Sequence, residues 1–192
     1  MQARLGAARG AVRSLDSLWK DRSLHVKVKR LLSTLVWTVA LYGCETWRLK
    51  AVDVRRIRGF EMTAYRRLLR VSWTTHRTNT SVLQEIQPQE WLLATVQRRK
   101  LQYFGHVVRA RNLSTEILEG RIDGKRRRGR PMRRWTDDIK DWSNRSVAEC
   151  SRLARDRQQW IGDCWCTKWS PTLSNEEGNK QAKEFYTCLA SI

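Results

Sequence analysis

Acidic residues are scarce in this sequence: 19 Asp and Glu stand against 38 Lys and Arg, a formal net charge of +19. A compact chain with that surplus repels itself unless a polyanion neutralises it. An ordinary neutral enzyme surface is therefore excluded, and nucleic acid or an anionic membrane is the expected partner class. Long apolar runs are missing too. The longest, Leu31 to Tyr42, is interrupted by Ser33, Thr34 and Thr38, far short of the ~18–20 residues that cross a bilayer. There is no Gly-rich phosphate loop, nucleophile elbow or Ser/His/Asp arrangement, and His25, His76 and His106 stand far apart. The five cysteines (Cys44, Cys150, Cys164, Cys166 and Cys188) are odd in number and irregularly spaced, and no secretory signal precedes them. Free thiols in a reducing compartment are the expectation, which leaves the sequons at Asn79, Asn112 and Asn144 without glycans. Cys164 and Cys166 are separated by one residue, where structural zinc sites space their cysteines by two to four. No metal or other cofactor is expected.

What is present reads as helix. Ten Trp residues argue against disorder, and 192 residues suit one domain, or one with a tail. From about Ser23 to Tyr42, Val28, Leu31, Leu32, Leu35, Val36 and Val39 recur at helical steps, and Gly43 stands where a C-terminal cap belongs. A second helix is predicted from about Val52 to Val71, with Ile57, Phe60, Ala64, Leu68 and Val71 on one stripe. Ser81 with Gln84 forms a plausible capping box for a short helix. Pro88 suits the first turn of the next helix, running to about Arg109 with Leu93, Val96, Phe104, Val107 and Val108 inward. Gly105 within it points to close packing or a bend. Trp135, Ile139 and Trp142 mark another helix. Ser146 with Glu149 caps a last one, with Cys150, Leu153, Arg157, Trp160 and Ile161 as its stripe and Gly162 as its end. The expected class is all-α, an irregular bundle of about five to seven helices with an exposed basic loop and a flexible C-terminal tail. The segments divide as 1–48, helical; 49–119, helical and basic; 120–134, a basic Gly/Arg loop; 135–162, C-terminal helices; and 163–192, a poorly ordered tail.

The cations are patterned. One face of the second helix carries Arg55, Arg56, Arg58, Arg66, Arg67 and Arg70, with Glu61 as almost the only acid. Forked donors at helical spacing suit phosphate oxygens, whereas a merely solvated face usually mixes its signs. Arg98, Arg99 and Lys100 precede Tyr103 and His106, an interleaving that could hold phosphates while an aromatic stacks on a base; equally, Tyr103 and Phe104 could be core. The run Lys125, Arg126, Arg127, Arg128, Gly129, Arg130, Pro131, continued by Arg133 and Arg134, is an exposed basic loop. Its Arg128-Gly129-Arg130-Pro131 matches the core of the AT-hook, whose extended Arg-Gly-Arg enters a narrow minor groove, while basic runs also serve as nuclear-import signals. The Asp137-Asp138 pair looks like the paired metal-binding aspartates of polymerases, but those sit between strands. Here the pair opens a helix, where acids complement the dipole. At the N-terminus, Arg4, Arg9 and Arg13 without an acid before Asp16 have the composition of a mitochondrial transit peptide, which any Ala- and Arg-rich helix start shares.

The order of the motifs carries a further reading. Leu41-Tyr42-Gly43-Cys44-Glu45-Thr46-Trp47 is followed by Phe60-Glu61-Met62, then by Tyr65 to Trp73 and by His76-Arg77-Thr78-Asn79. Arg99-Lys100-Leu101-Gln102-Tyr103-Phe104-Gly105-His106-Val107-Val108-Arg109 comes next, then Gly124-Lys125-Arg126, Arg128-Gly129-Arg130-Pro131 and Trp135-Thr136-Asp137-Asp138-Ile139. Leu153-Ala154-Arg155-Asp156-Arg157-Gln158-Gln159-Trp160 closes the series. This succession, over roughly residues 5–162, resembles the region after the polymerase palm in the endonuclease–reverse transcriptase of non-LTR (LINE-type) retrotransposons. The resemblance implies a fragment: the helical thumb, with residues 1–48 as its thumb-like part, and the C-terminal extension of an RNA-directed DNA polymerase, without the catalytic palm. In that family these parts are thought to grip template RNA, primer duplex and target DNA.

The expectation is therefore a non-catalytic nucleic-acid-binding chain in the nucleus or cytoplasm, not secreted, with RNA and DNA as partners through their phosphates. The palm of a complete reverse transcriptase is a further expected partner; a membrane and a small-molecule substrate are not. The contacts would come from Arg55, Arg56, Arg66, Arg67, Arg70, Arg98, Arg99, Lys100, Lys125, Arg126, Arg127, Arg128, Arg130, Arg133 and Arg134. The competing class is a DNA-tethering or protein-interaction module built on the AT-hook-like loop. A third reading is a chain that folds poorly without its palm, which exposed apolar surface along Leu31–Val39 would mark.

Overall fold

A computed structural model describes residues 1–21, 23–88, 90–120, 128–129 and 132–165. Among these residues every regular element is helical, as the 3.6-residue periodicity requires, and no strand occurs. In chain order the α-helices are α1 (Gln2–Ser14), α2 (Asp16–Lys20), α3 (Val26–Ala40), α4 (Ala51–Leu68), α5 (Asn79–Ile86), α6 (Leu92–Ala110), α7 (Leu113–Glu119), α8 (Trp135–Ser143), α9 (Val147–Arg155) and α10 (Arg157–Trp165). The predicted tail, apart from residues 163–165, and most of the predicted basic loop lie outside the described residues. The described residues group into two compact units: those of Met1–Lys100 with Arg126–Ile139, and those of Leu101–Lys125 with Lys140–Ile192.

In the first unit, α1 packs on α3 and α4, and α4 on α5. Leu5, Ala8 and Val12 turn one side of α1 inward, so the Arg-rich start of the chain is part of a core. The Trp19 indole N–H donates to the Val12 carbonyl at 2.9 Å, closing α2 back on α1. On α3, Val36 and Ala40 are buried, and the Trp37 ring stands edge-on to Phe60 and Tyr65 of α4, 5.7 Å from each. Two members of the predicted α3 stripe face solvent instead: Val28 is 41% exposed and Leu35 55%. Gly43 does take the left-handed conformation expected of it, with φ +65°.

Two helix starts differ from expectation. Thr78, not Ser81, caps α5, its hydroxyl accepting from the Ser81 N–H. The next helix begins at Leu92 rather than at Pro88, because the Glu61 carboxylate accepts the Leu92 N–H at 2.9 Å and serves as a tertiary cap. A buried acid from another helix thus does what the local sequence could not announce.

In the second unit, Trp160 of α10 lies against α6. Its indole N–H donates to the Leu101 carbonyl at 3.0 Å, and its ring is 5.5 Å from that of Phe104. A β-carbon on Gly105 would come within 2.6 Å of the same indole, so this glycine is needed for the approach. Ser146 and Glu149 form the predicted capping box at the start of α9. The single helix predicted beyond it is two, because Asp156 is extended (ψ 114°) and caps α10 through its carboxylate. Gly162 consequently lies inside α10 rather than at its end, and Ile161 is exposed.

Candidate nucleic-acid interface

Helix α4 buries Ile57, Phe60, Glu61, Ala64, Tyr65 and Leu68. The remaining positions leave the arginines on the other side. Arg55, Arg56, Arg58, Arg67 and Arg70 are exposed and Arg66 is half-buried. Their engagements differ. Arg55 and Arg58 make no hydrogen bond or ion pair among the described residues. Arg56 lies 3.5 Å from Asp53, and Arg67 pairs with Asp16 at 2.8 Å. Arg66 donates to the Arg77 carbonyl and the Asn79 side chain, and Arg70 to the Lys20 carbonyl at 3.0 Å. Arg56 thus pairs within α4, Arg67 ties α4 to α2, and Arg66 and Arg70 hold neighbouring backbone. Glu61, almost the only acid the sequence placed on this face, is turned inward and only 1% exposed.

Burial pushes the Glu61 carboxyl up to about 7, against the pull of the Leu92 N–H, the Tyr65 hydroxyl and the Arg58 charge. The Tyr65 hydroxyl donates to Glu61 at 3.1 Å. Burial and the neighbouring carboxylate hold the Tyr65 phenol well above its usual range. The outward face of α4 is left without an acid except Asp53 in its first turn.

The cation run on α6 is split by the helix. Arg98 forms a forked pair with Glu90 at 2.9 and 3.0 Å, and Arg99 is exposed near the buried Cys44. Lys100 is corrected: with no exposed surface, it cannot meet a phosphate. Its ammonium donates to the Trp47 carbonyl at 2.8 Å and to the Asp138 carboxylate, and lies 4.7 Å from the centre of the Trp135 ring. Desolvation lowers its pKa and Asp138 opposes that shift. Asp138 is equally buried. Its second oxygen takes the Arg133 guanidinium at 2.7 and 2.9 Å, and the first also accepts the Leu49 N–H at 3.0 Å. The Trp135 indole donates to the Glu45 carbonyl, and Arg48 to that of Arg133. Asp137 accepts the Arg134 N–H at the start of α8. Both oxygens of Asp138 are therefore occupied by cations of the chain itself.

Of the basic loop, Arg128 and Arg134 are exposed, while Arg133 is about one-third exposed and held by Asp138. Lys125, Arg126, Arg127 and Arg130 lie outside the described residues. The two readings of the aromatic pair on α6 separate: Phe104 is fully buried, and Tyr103 is 43% exposed with His106 exposed one turn on. Among the described residues no three His, Cys, Asp or Glu side chains gather as metal ligands. Cys44 and Cys150 are buried free thiols, and burial pushes the first up to about 11. No helix of the described residues is long and apolar enough to cross a membrane.

No protein-family model, curated protein or solved structure matches this chain.

Proposed function

We propose that this chain is a nucleic-acid-binding, non-catalytic part of a LINE-type reverse transcriptase that grips template RNA and primer, or target DNA, through its cationic helical surface. The outward side of α4 carries the reading: Arg55, Arg56, Arg58, Arg66 and Arg67, with Arg70 two residues past its end and Glu61 withdrawn into the core, so that the outward charge is almost all of one sign. A surface of that kind binds phosphates without reading bases. The spatial use of the sequence blocks supports the family part of the proposal. Glu45 and Trp47, Lys100, and Trp135 and Asp138 come from three separate blocks of the resemblance and meet in one buried cluster. Trp160, from the last block, packs on Leu101 and Phe104 of an earlier one. Leu35, exposed within Leu31–Val39, is the mark named above for a chain that lacks its palm, and with Val28 it fits a chain that packs against another part in the whole protein. The test replaces Arg55 and Arg58, which make no hydrogen bond or ion pair among the described residues, with Gln. Each lost phosphate contact lowers the salt slope of duplex binding by about 0.9, and an unchanged slope and affinity would remove α4 from the interface.

A further inference from the structure

Ser151 of α9 is 3% exposed, and its hydroxyl is the one buried side-chain polar atom among the described residues with no hydrogen-bond partner. A hydroxyl on a helix commonly satisfies itself on the carbonyl four residues back, as Thr63 and Thr95 do on Gly59 and Trp91. Ser151 does not, and a buried polar group left in that state calls for a partner. It lines a cleft of about 400 Å³ that α9 shares with Glu119 at the end of α7, a size within the ~300–1,000 Å³ of ligand sites.

The lining is graded along α9. Val147 and Ala148 make an apolar end in the first turn, Arg152 and Arg155 a cationic end towards the last, and Ser151 stands between. Both arginines are exposed and make no hydrogen bond or ion pair among the described residues. At ~1.5 Å of rise per residue, Arg152 lies about 6 Å and Arg155 about 10 Å beyond Ala148 along the axis. Side chains two residues apart on an extended peptide are ~7 Å apart on one side. An apolar residue and an acid separated by one residue therefore span the two ends, and a peptide carbonyl between them can accept from the Ser151 hydroxyl. Guanidinium forks suit either a carboxylate or a phosphate. Glu119 on the α7 side opposes a doubly charged phosphate more than a single carboxylate. The amides at the start of α9, which elsewhere would cradle a phosphate, are already capped by Ser146 and Glu149.

We infer that this cleft binds an extended acidic peptide of a partner protein, with an apolar side chain seated against Val147 and Ala148 and an Asp or Glu two residues away held by Arg152 and Arg155. Neither nucleic acid nor the cationic face of α4 enters into it, so the inference stands apart from the function proposed above.

The test titrates the full chain, labelled with nitrogen-15, with the capped peptide Ac-Gly-Leu-Gly-Glu-Gly-amide and follows its backbone amide resonances. Saturable shifts are expected at Ala148, Ser151 and Arg152. Changing the peptide's Leu to Gly, or its Glu to Gln, should weaken binding roughly tenfold in each case. Ser151→Ala should bind about fivefold more weakly, yet melt at or above the wild-type temperature, because its hydroxyl has no partner in the fold to lose. A hydroxyl with a purely structural role would do the reverse, lowering the melt and sparing the binding. Arg155→Gln, a surface change, should lose roughly tenfold in affinity with its helical circular dichroism unchanged. Binding that ignores the peptide's Leu would be general attraction of acids to a basic chain and would overturn the inference. So would inorganic phosphate moving the same amides at a lower concentration than the peptide, or the absence of any shift along α9.

Discussion

Lys100 and Asp138 form an ion pair from which solvent is entirely excluded, joining the middle of α6 to the first turn of α8 across 38 residues of sequence. The pair is not closed on itself. Lys100 also donates to the Trp47 carbonyl and Asp138 also receives Arg133 and the Leu49 N–H. Removing one partner of a buried pair costs about 3–5 kcal/mol because the other charge is stranded, whereas replacing both with apolar side chains is often neutral.

The two single replacements should therefore be unequal. Asp138→Asn leaves the Lys100 ammonium without a counter-charge and should cost the full ~3–5 kcal/mol. Lys100→Met leaves Asp138 with Arg133 and should cost less. Denaturant midpoints of the two variants check the order, and equal losses would mean that Arg133 does not share the charge.

Glu61 predicts a dependence on pH of the opposite sign to that of most carboxylates. Its folded pKa is raised from the ordinary 4.5 to about 7, so the folded chain holds a proton that the unfolded chain has released. Stability contributed by this group falls as pH rises from about 4.5 to about 7 and is level above that. A shift of that size corresponds to a loss of ~3 kcal/mol. Glu61→Gln keeps a carbonyl to accept the Leu92 N–H and the Tyr65 hydroxyl and does not titrate. Its melting temperature should match that of wild type near pH 4.5 and exceed it at pH 8. A wild-type advantage at pH 8 would mean that the carboxylate is needed in charged form.

Two glycine-to-alanine changes in long helices should move stability in opposite directions. Gly59→Ala adds a methyl to open space and gains helix propensity of about 1 kcal/mol. Gly105→Ala gains the same propensity but drives a carbon within 2.6 Å of the Trp160 indole, and overpacking of that kind costs about 1–3 kcal/mol. Thermal melts should show the first variant above wild type and the second below it. A stabilised Gly105→Ala would mean that α10 moves aside freely.

Helix class, most helix bodies and the Ser146–Glu149 cap were legible because they depend on periodicity and on neighbours within one turn. Lys100 was misread because Arg98, Arg99 and Lys100 look like one cationic run, although successive helix residues point about 100° apart. Four residues after Val96 and four before Phe104, Lys100 falls on the buried stripe of α6, and that register was the available signal. Glu61 is a parallel case, four residues after Ile57 and four before Tyr65. Their partners were not legible: Asp138 and the Leu92 N–H lie 38 and 31 residues away. The start of α6 and the break between α9 and α10 were missed for the same reason, since a buried carboxylate from α4 sets the first and an extended Asp156 the second.

The central claim is polyanion binding by a cationic helical surface, and fluorescence anisotropy on three ligands tests it most directly. A structured RNA, a mixed-sequence DNA duplex and an A·T-rich duplex are titrated across a salt series with the full chain. The account predicts saturable binding at low salt to all three, with steep and similar slopes of log affinity on log salt. A marked preference for the A·T-rich duplex would transfer the function to the loop around Arg128 and make the chain a tethering module. No saturable binding to any of them would contradict the account.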